Sequence, residues 1–162
     1  MAAHIFLTGE IQVGKSTAIK RFLETTGLRA CGFRTLWDED ELRLAPYGAP
    51  AGAGAVVAIR GEKGLRKLPH VFDDASGALF EVPYGAEIMI MDELGFLENE
   101  DRAFKRRVLE SLDGDIPILG VIKPAKTAFL DAVRAHPCVS TVYVDKGNRD
   151  EVYERLCRRF GH

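Results

Sequence analysis

The chain has 162 residues, of which 46% are hydrophobic and 28% charged, enough for one folded domain with a substantial core and no second domain. A formal net charge of −2 and a pI near 6.1 exclude a general attraction to nucleic acid or to an anionic membrane surface. The amino terminus has too short an apolar run for a secretory signal and no stretch approaches a membrane span, so the cytoplasm is the expected compartment.

The first element is the apolar run Ile5-Phe6-Leu7, read as a buried strand. It leads into Gly9-Glu10-Ile11-Gln12-Val13-Gly14-Lys15-Ser16, which matches G-x-x-x-x-G-K-[ST], the pattern of a phosphate-binding loop. Glycines at this spacing let the backbone wrap a polyphosphate with successive N–H groups aimed inward. A helix predicted over 13–25 adds the positive end of its dipole beneath the anion. Lys15 is expected to reach the β- and γ-phosphates, Ser16 to supply an oxygen to Mg²⁺, and Thr17 to hydrogen-bond the α-phosphate.

Gly27 gives a helix stop, and strands are predicted over 32–37, 42–47 and 56–60. The polar turn Asp38-Glu39-Asp40-Glu41 makes the first two an antiparallel hairpin. Residues 48–54, rich in Gly and Ala, read as a connection inside the domain. Over 61–85, Pro69, Gly77 and Pro83 break any long element, leaving loops and at most a short helix at 73–80.

Ile88-Met89-Ile90-Met91 is a continuous apolar run, as in a central parallel strand covered on both faces, and it ends in Asp92-Glu93, a Walker B signature. Acids at the carboxyl end of such a strand lie in the crevice where α/β sheets bind ligands. Asp92 is expected to hold Mg²⁺, and Glu93 to orient or deprotonate the water that attacks the γ-phosphate. Lys15, the metal ion and one water-directing carboxylate form a sufficient minimal set for phosphoryl transfer. A helix at 101–112, a strand at 116–122, a helix from Lys126 or Thr127 to Ala135, a strand at 139–144 and a terminal helix capped by Asn148 complete the order. This alternation predicts a mostly parallel, doubly covered α/β sheet interrupted by an antiparallel β insert after the first helix.

Taken together, Val13-Gly14-Lys15-Ser16-Thr17, Gly32-Phe33-Arg34-Thr35, Met91-Asp92-Glu93-Leu94-Gly95 with Glu98, and Asn148-Arg149-Asp150 resemble the small P-loop nucleoside-triphosphatases sometimes called cancer-related nucleoside-triphosphatases. The resemblance covers nearly the whole chain. It implies a P-loop fold and slow, Mg²⁺-dependent hydrolysis of nucleoside triphosphates with little base preference, carried by Lys15, Ser16, Asp92 and Glu93. Glu10 and Gln12 stand where that family more often has small residues or proline, Arg34 where many members have an aromatic residue, and the segment before Ile88 is short. Two other activities share such a loop: a nucleotide or small-molecule kinase, and a module that binds a protein or RNA partner according to its nucleotide state.

Arg34, Lys123, Lys126 and Arg149 are candidates for an added positive charge, with Lys126 and Arg149 placed first because both follow predicted strand ends. Lys105-Arg106-Arg107 reads as a solvated helix face diluted by Glu98, Glu100, Asp101 and Glu110. Trp37, Tyr47 and Phe33 read as sheet packing ahead of base stacking. Cys31, Cys138 and Cys157 lie far apart and are expected to be ordinary thiols, and the four His residues lack metal-ligand spacing.

Overall fold

The computed structural model describes residues 2–11, 13–95 and 97–161. The elements in chain order are β1 (His4–Thr8), α1 (Lys15–Thr26), β2 (Ala30–Asp38), β3 (Glu41–Pro46), β4 (Ala55–Gly61), β5 (Gly64–Lys67), α2 (Val71–Leu79), β6 (Ile88–Leu94), α3 (Arg102–Leu112), β7 (Ile118–Ile122), α4 (Ala128–Ala135), β8 (Val139–Tyr143) and α5 (Arg149–Phe160). They build one eight-stranded sheet in the order β5-β4-β3-β2-β6-β7-β1-β8. From β2 through β6, β7 and β1 to β8 every pairing is parallel, whereas β2 to β5 form an antiparallel meander continuing the same sheet. This is the expected α/β architecture, with its antiparallel insert after the first helix.

Alternation along β6 shows why an unbroken apolar run is needed there. Ile88 and Ile90 face a core shared with Ala18, Ile19 and Phe22 of α1 and with Val152 and Leu156 of α5. Met89 and Met91 face the opposite core, with Phe72 of α2, Phe104 and Val108 of α3 and Leu130 and Val133 of α4. Successive strand residues point to opposite faces, so a strand buried on both has no polar position. Four rings, Phe33, Phe72, Phe80 and Phe104, meet edge to face in the second core with centroid separations of 5.0–5.7 Å.

Several boundaries differ from expectation, each for a local reason. Helix α1 begins at Lys15 instead of residue 13, because Gly14 occupies the left-handed region at φ 100°. Strand β7 starts at Ile118 instead of 116: Pro117 has no N–H for the ladder, and its carbonyl accepts from the Met89 N–H. The region 61–85 contains a strand, β5, that was not expected, and its helix runs from Val71 to Leu79. Strand β5 is a four-residue edge strand paired only with β4, so it lacks the alternating apolar signature. Asn148 holds the N-cap position of α5 without a side-chain cap: its Oδ1 accepts from the Asp145 N–H and its amide donates to the Tyr143 carbonyl.

Candidate active site

The loop between β1 and α1 lies at the carboxyl ends of the parallel strands. Gly9 adopts φ 140°, and a Cβ there would sit 2.4 Å from the Val144 carbonyl oxygen, so no other residue lets the loop leave the sheet this close to β8. Gly14 is constrained chiefly by its φ of 100°, and a Cβ there would also approach the Arg149 side chain, Cδ at 2.8 Å. Lys15 folds back over the loop and donates from Nζ to the carbonyls of Gly9 and Glu10, 2.7 Å each. Burial lowers the pKa of this ammonium, an effect opposed by Glu93.

Across the cleft, β6 delivers Asp92 and Glu93; the peptide between them is cis, and the pairing with β7 shifts register between Asp92 and Leu94. Ser16, in the first turn of α1, and Asp92 line the same cleft, which brings the loop and the acidic strand end together. Burial raises the Asp92 pKa to about 6, against the opposing pull of the nearby Ser16 hydroxyl. Glu93 is half-buried with Oε1 3.5 Å from Lys123 Nζ at the end of β7. Lys15, Ser16, Thr17, Asp92, Glu93, Lys123 and Arg149 all line one open cleft of about 890 Å³, together with Gly9, Glu10, Ile11 and Gly14. Val13 is buried in the α1–α5 core instead of lining it, and Gln12 lies outside the described residues.

Of the basic candidates, Lys123 and Arg149 line the cleft. Lys126, placed first with Arg149, is exposed and does not line it, although Pro124 and Ala125 just before it do. Arg34 pairs in register with Asp92 across β2 and β6 and donates to the Ala49 carbonyl, which anchors the 47–54 loop. Phe33 is fully buried in the core, Tyr47 packs against the other core, and Trp37 lines the cleft with the Arg60 guanidinium 4.1 Å from its ring centroid. On α3, Arg106 pairs with Glu110, Lys105 bonds the Asn99 carbonyl and Arg107 lies over Phe80, so the basic run is a solvated face. Glu98, noted only as part of a motif, is 2% exposed, lines the cleft and accepts from the Gly95 N–H. Burial pushes its pKa up to about 7.

The oxygen donors Ser16 Oγ and Asp92, which line the same cleft, fit Mg²⁺, which prefers few protein ligands, water and phosphate oxygens. Among the described residues no group of three or more His, Cys, Asp or Glu could hold a metal by itself. The three cysteines are free, and no described helix is long and apolar enough to cross a membrane.

The model of a family described as NTPase matches residues 70–157. The chain is 29% identical to nucleoside-triphosphatase THEP1 of Methanosarcina acetivorans, over 96% of this chain and 95% of that one. It is 26% identical to the cancer-related nucleoside-triphosphatase homolog of Bos taurus, over 96% and 95% of the two chains. In fold it is similar to the crystal structure of THEP1 from Aquifex aeolicus, with TM-score 0.80 at 21% identity, covering 98% of this chain and 99% of that one. It also resembles the solution structure of a human cancer-related nucleoside triphosphatase, with TM-score 0.74 at 21% identity, covering 97% and 96%.

Proposed function

Since this chain belongs to the NTPase family, we propose that it hydrolyses nucleoside 5′-triphosphates to diphosphate and phosphate, in the presence of Mg²⁺, slowly and with broad base specificity. The observation that carries this reading is that Lys15 and Ser16 of the loop and Asp92 and Glu93 of the acidic strand end line one cleft. Backbone N–H groups of the 9–16 loop and the first turn of α1 cradle the triphosphate tail, with Thr17 toward the α-phosphate. Lys15 exchanges the Gly9 and Glu10 carbonyls for β- and γ-phosphate oxygens, contacts its present bonds already orient it to make.

Mg²⁺, held by Ser16 and Asp92, supplies charge neutralisation on the phosphate oxygens. Glu93 accepts the proton of the attacking water, Lys123 holds that carboxylate in place, and the nucleoside diphosphate leaves as the new P–O bond forms. Arg149, against Gly14, is the nearer candidate for added positive charge over the phosphates. The cleft's recognisable polyphosphate contacts, Lys15, Ser16, Thr17 and Arg149, address the phosphates and not a base, which supports loose selection among bases. One domain in the cytoplasm is the corresponding proposal for organisation and compartment.

The test is phosphate release from ATP, GTP, CTP and UTP with and without Mg²⁺. All four are expected to turn over only with the metal, and Glu93→Gln is expected to bind triphosphate while losing at least about a hundredfold in turnover. Hydrolysis by Glu93→Gln at the unmodified rate contradicts the assignment. Negligible turnover with intact nucleotide binding would favour a nucleotide-dependent binding module.

A further inference from the structure

The cleft has two ends of different chemistry. Lys15, Ser16, Thr17 and Arg149 stand at one, whereas beyond Asp92 and Glu93 the wall is Leu36, Trp37, Leu42, Leu65, Phe72 and Leu97. Strand order explains the division. The loop and α1 follow β1, while β2 and the antiparallel strands lie on the far side of β6. A triphosphate whose α-phosphate faces Thr17 and whose γ-phosphate faces Glu93 therefore presents its terminal phosphorus toward the apolar end.

That end is more than a hydrolytic site needs. The whole cleft is about 890 Å³, in the upper part of the range for small-molecule sites, more than a triphosphate tail and one water of about 30 Å³ require. Leu36, Trp37 and Leu65 are left 43%, 39% and 46% exposed, an arrangement that costs hydration free energy unless something covers it. Trp37 keeps exposed ring surface that favours a flat partner, with Phe72 buried in the core behind this wall. Among the described residues, the cations lining the cleft are Lys15 and Arg149 at the phosphate end and Lys123 beside Glu93. Arg60 stacks on Trp37 and Lys67 pairs with Asp101, and neither lines it. The charged lining residues next in line are Glu93, with Lys123 beside it, and Glu98, so the apolar wall itself offers an anionic ligand no lining cation.

We propose that the apolar end binds an uncharged aromatic alcohol and that this alcohol, in place of water, accepts the γ-phosphoryl group. The proposal rests on the hydrolase reading for its phosphoryl donor and base. The hydroxyl oxygen attacks the γ-phosphorus, and its proton passes to the Glu93 carboxylate and then to solvent. The bond from that phosphorus to the β,γ-bridging oxygen breaks, and its electron pair leaves with the nucleoside diphosphate. The products are a phosphate monoester, a nucleoside diphosphate and a proton. An acceptor bearing phosphate, such as a nucleoside monophosphate, is disfavoured because no cation lines the apolar wall.

Trp37 is the chain's single tryptophan, so its fluorescence reports occupancy of this end directly. The probe is 4-nitrobenzyl alcohol, a neutral quencher, compared with the anionic 4-nitrobenzoate, and 4-nitrobenzyl phosphate is sought by chromatography in the presence of Mg²⁺ and ATP. The expected result is saturable quenching by the alcohol at least tenfold tighter than by the carboxylate, with formation of the phosphate ester. Leu65→Lys, an exposed edge-strand substitution, is expected to reverse the preference toward 4-nitrobenzoate. Absence of saturable quenching, equal quenching by the two probes, or quenching without ester formation overturns the proposal. Phosphate release without ester overturns it alone, whereas failure to bind or hydrolyse triphosphate overturns the hydrolase reading beneath it. Quenching needs no nucleotide and separates the two.

Discussion

Glu98→Gln is expected to stabilise the protein at high pH and to leave it nearly unchanged at low pH. The carboxyl is 2% exposed, and burial outweighs the Gly95 N–H bond, lifting its pKa from an ordinary 4.5 to about 7. Between those values the folded chain keeps a proton that the unfolded chain releases, so stability falls as pH rises through the window and is constant above it. Each tenfold difference in proton affinity is worth about 1.4 kcal/mol, so the ionised side chain costs the fold about 3 kcal/mol at pH 8. An amide carries no such penalty and retains an oxygen for the Gly95 N–H. Urea unfolding of both proteins without nucleotide or metal, followed by circular dichroism from pH 4.5 to pH 8, should show the amide variant gaining about 3 kcal/mol on the parent across that range. A stability difference independent of pH refutes the reasoning.

Gly9→Ala is expected to cost about 2 kcal/mol or more and to abolish triphosphate uptake, because φ 140° and the Val144 carbonyl at 2.4 Å leave no room for a methyl group; thermal unfolding and a fluorescent triphosphate analogue check both. Lys67→Met should cost about 3 kcal/mol in urea unfolding, since Asp101, 1% exposed, loses the ammonium 2.8 Å away and keeps only the Asp73 N–H. Adding Asp101→Asn to that variant should recover part of the loss, and no recovery would show that Lys67 acts through packing alone.

Much of the central sheet was legible because its residues obey local rules. The run 88–91 could only be a strand buried on both faces, and the glycines at 9 and 14 mark backbone positions that a side chain would block. Strand β5 was not legible: Gly64-Leu65-Arg66-Lys67 has one apolar residue, and what holds it is β4, together with the ion pair that Lys67 makes 34 positions away. Glu98 and Asp101 looked like solvated acids beside a basic helix, yet both are buried through partners that only the fold assembles: Glu98 caps the Gly95 N–H, and Asp101 ties β5 and α2 to the start of α3. Asn148 had the right residue type for a helix cap, but the 143–148 turn supplied competing partners. Lys123 outranked Lys126 at the site because it directly follows β7, where its N–H still donates to the Leu94 carbonyl and its ammonium lies beside Glu93.

The central claim is that Ser16 and Asp92 together make the metal end of a triphosphate site. Calorimetric titration of ATP into the protein, with and without Mg²⁺, tests it most directly when the parent is compared with Asp92→Asn. The parent should take up one ATP per chain with affinity that rises on adding Mg²⁺, and Asp92→Asn should lose most of that rise. Uptake by Asp92→Asn with the same Mg²⁺ dependence as the parent, or no ATP uptake by the parent at all, would contradict it.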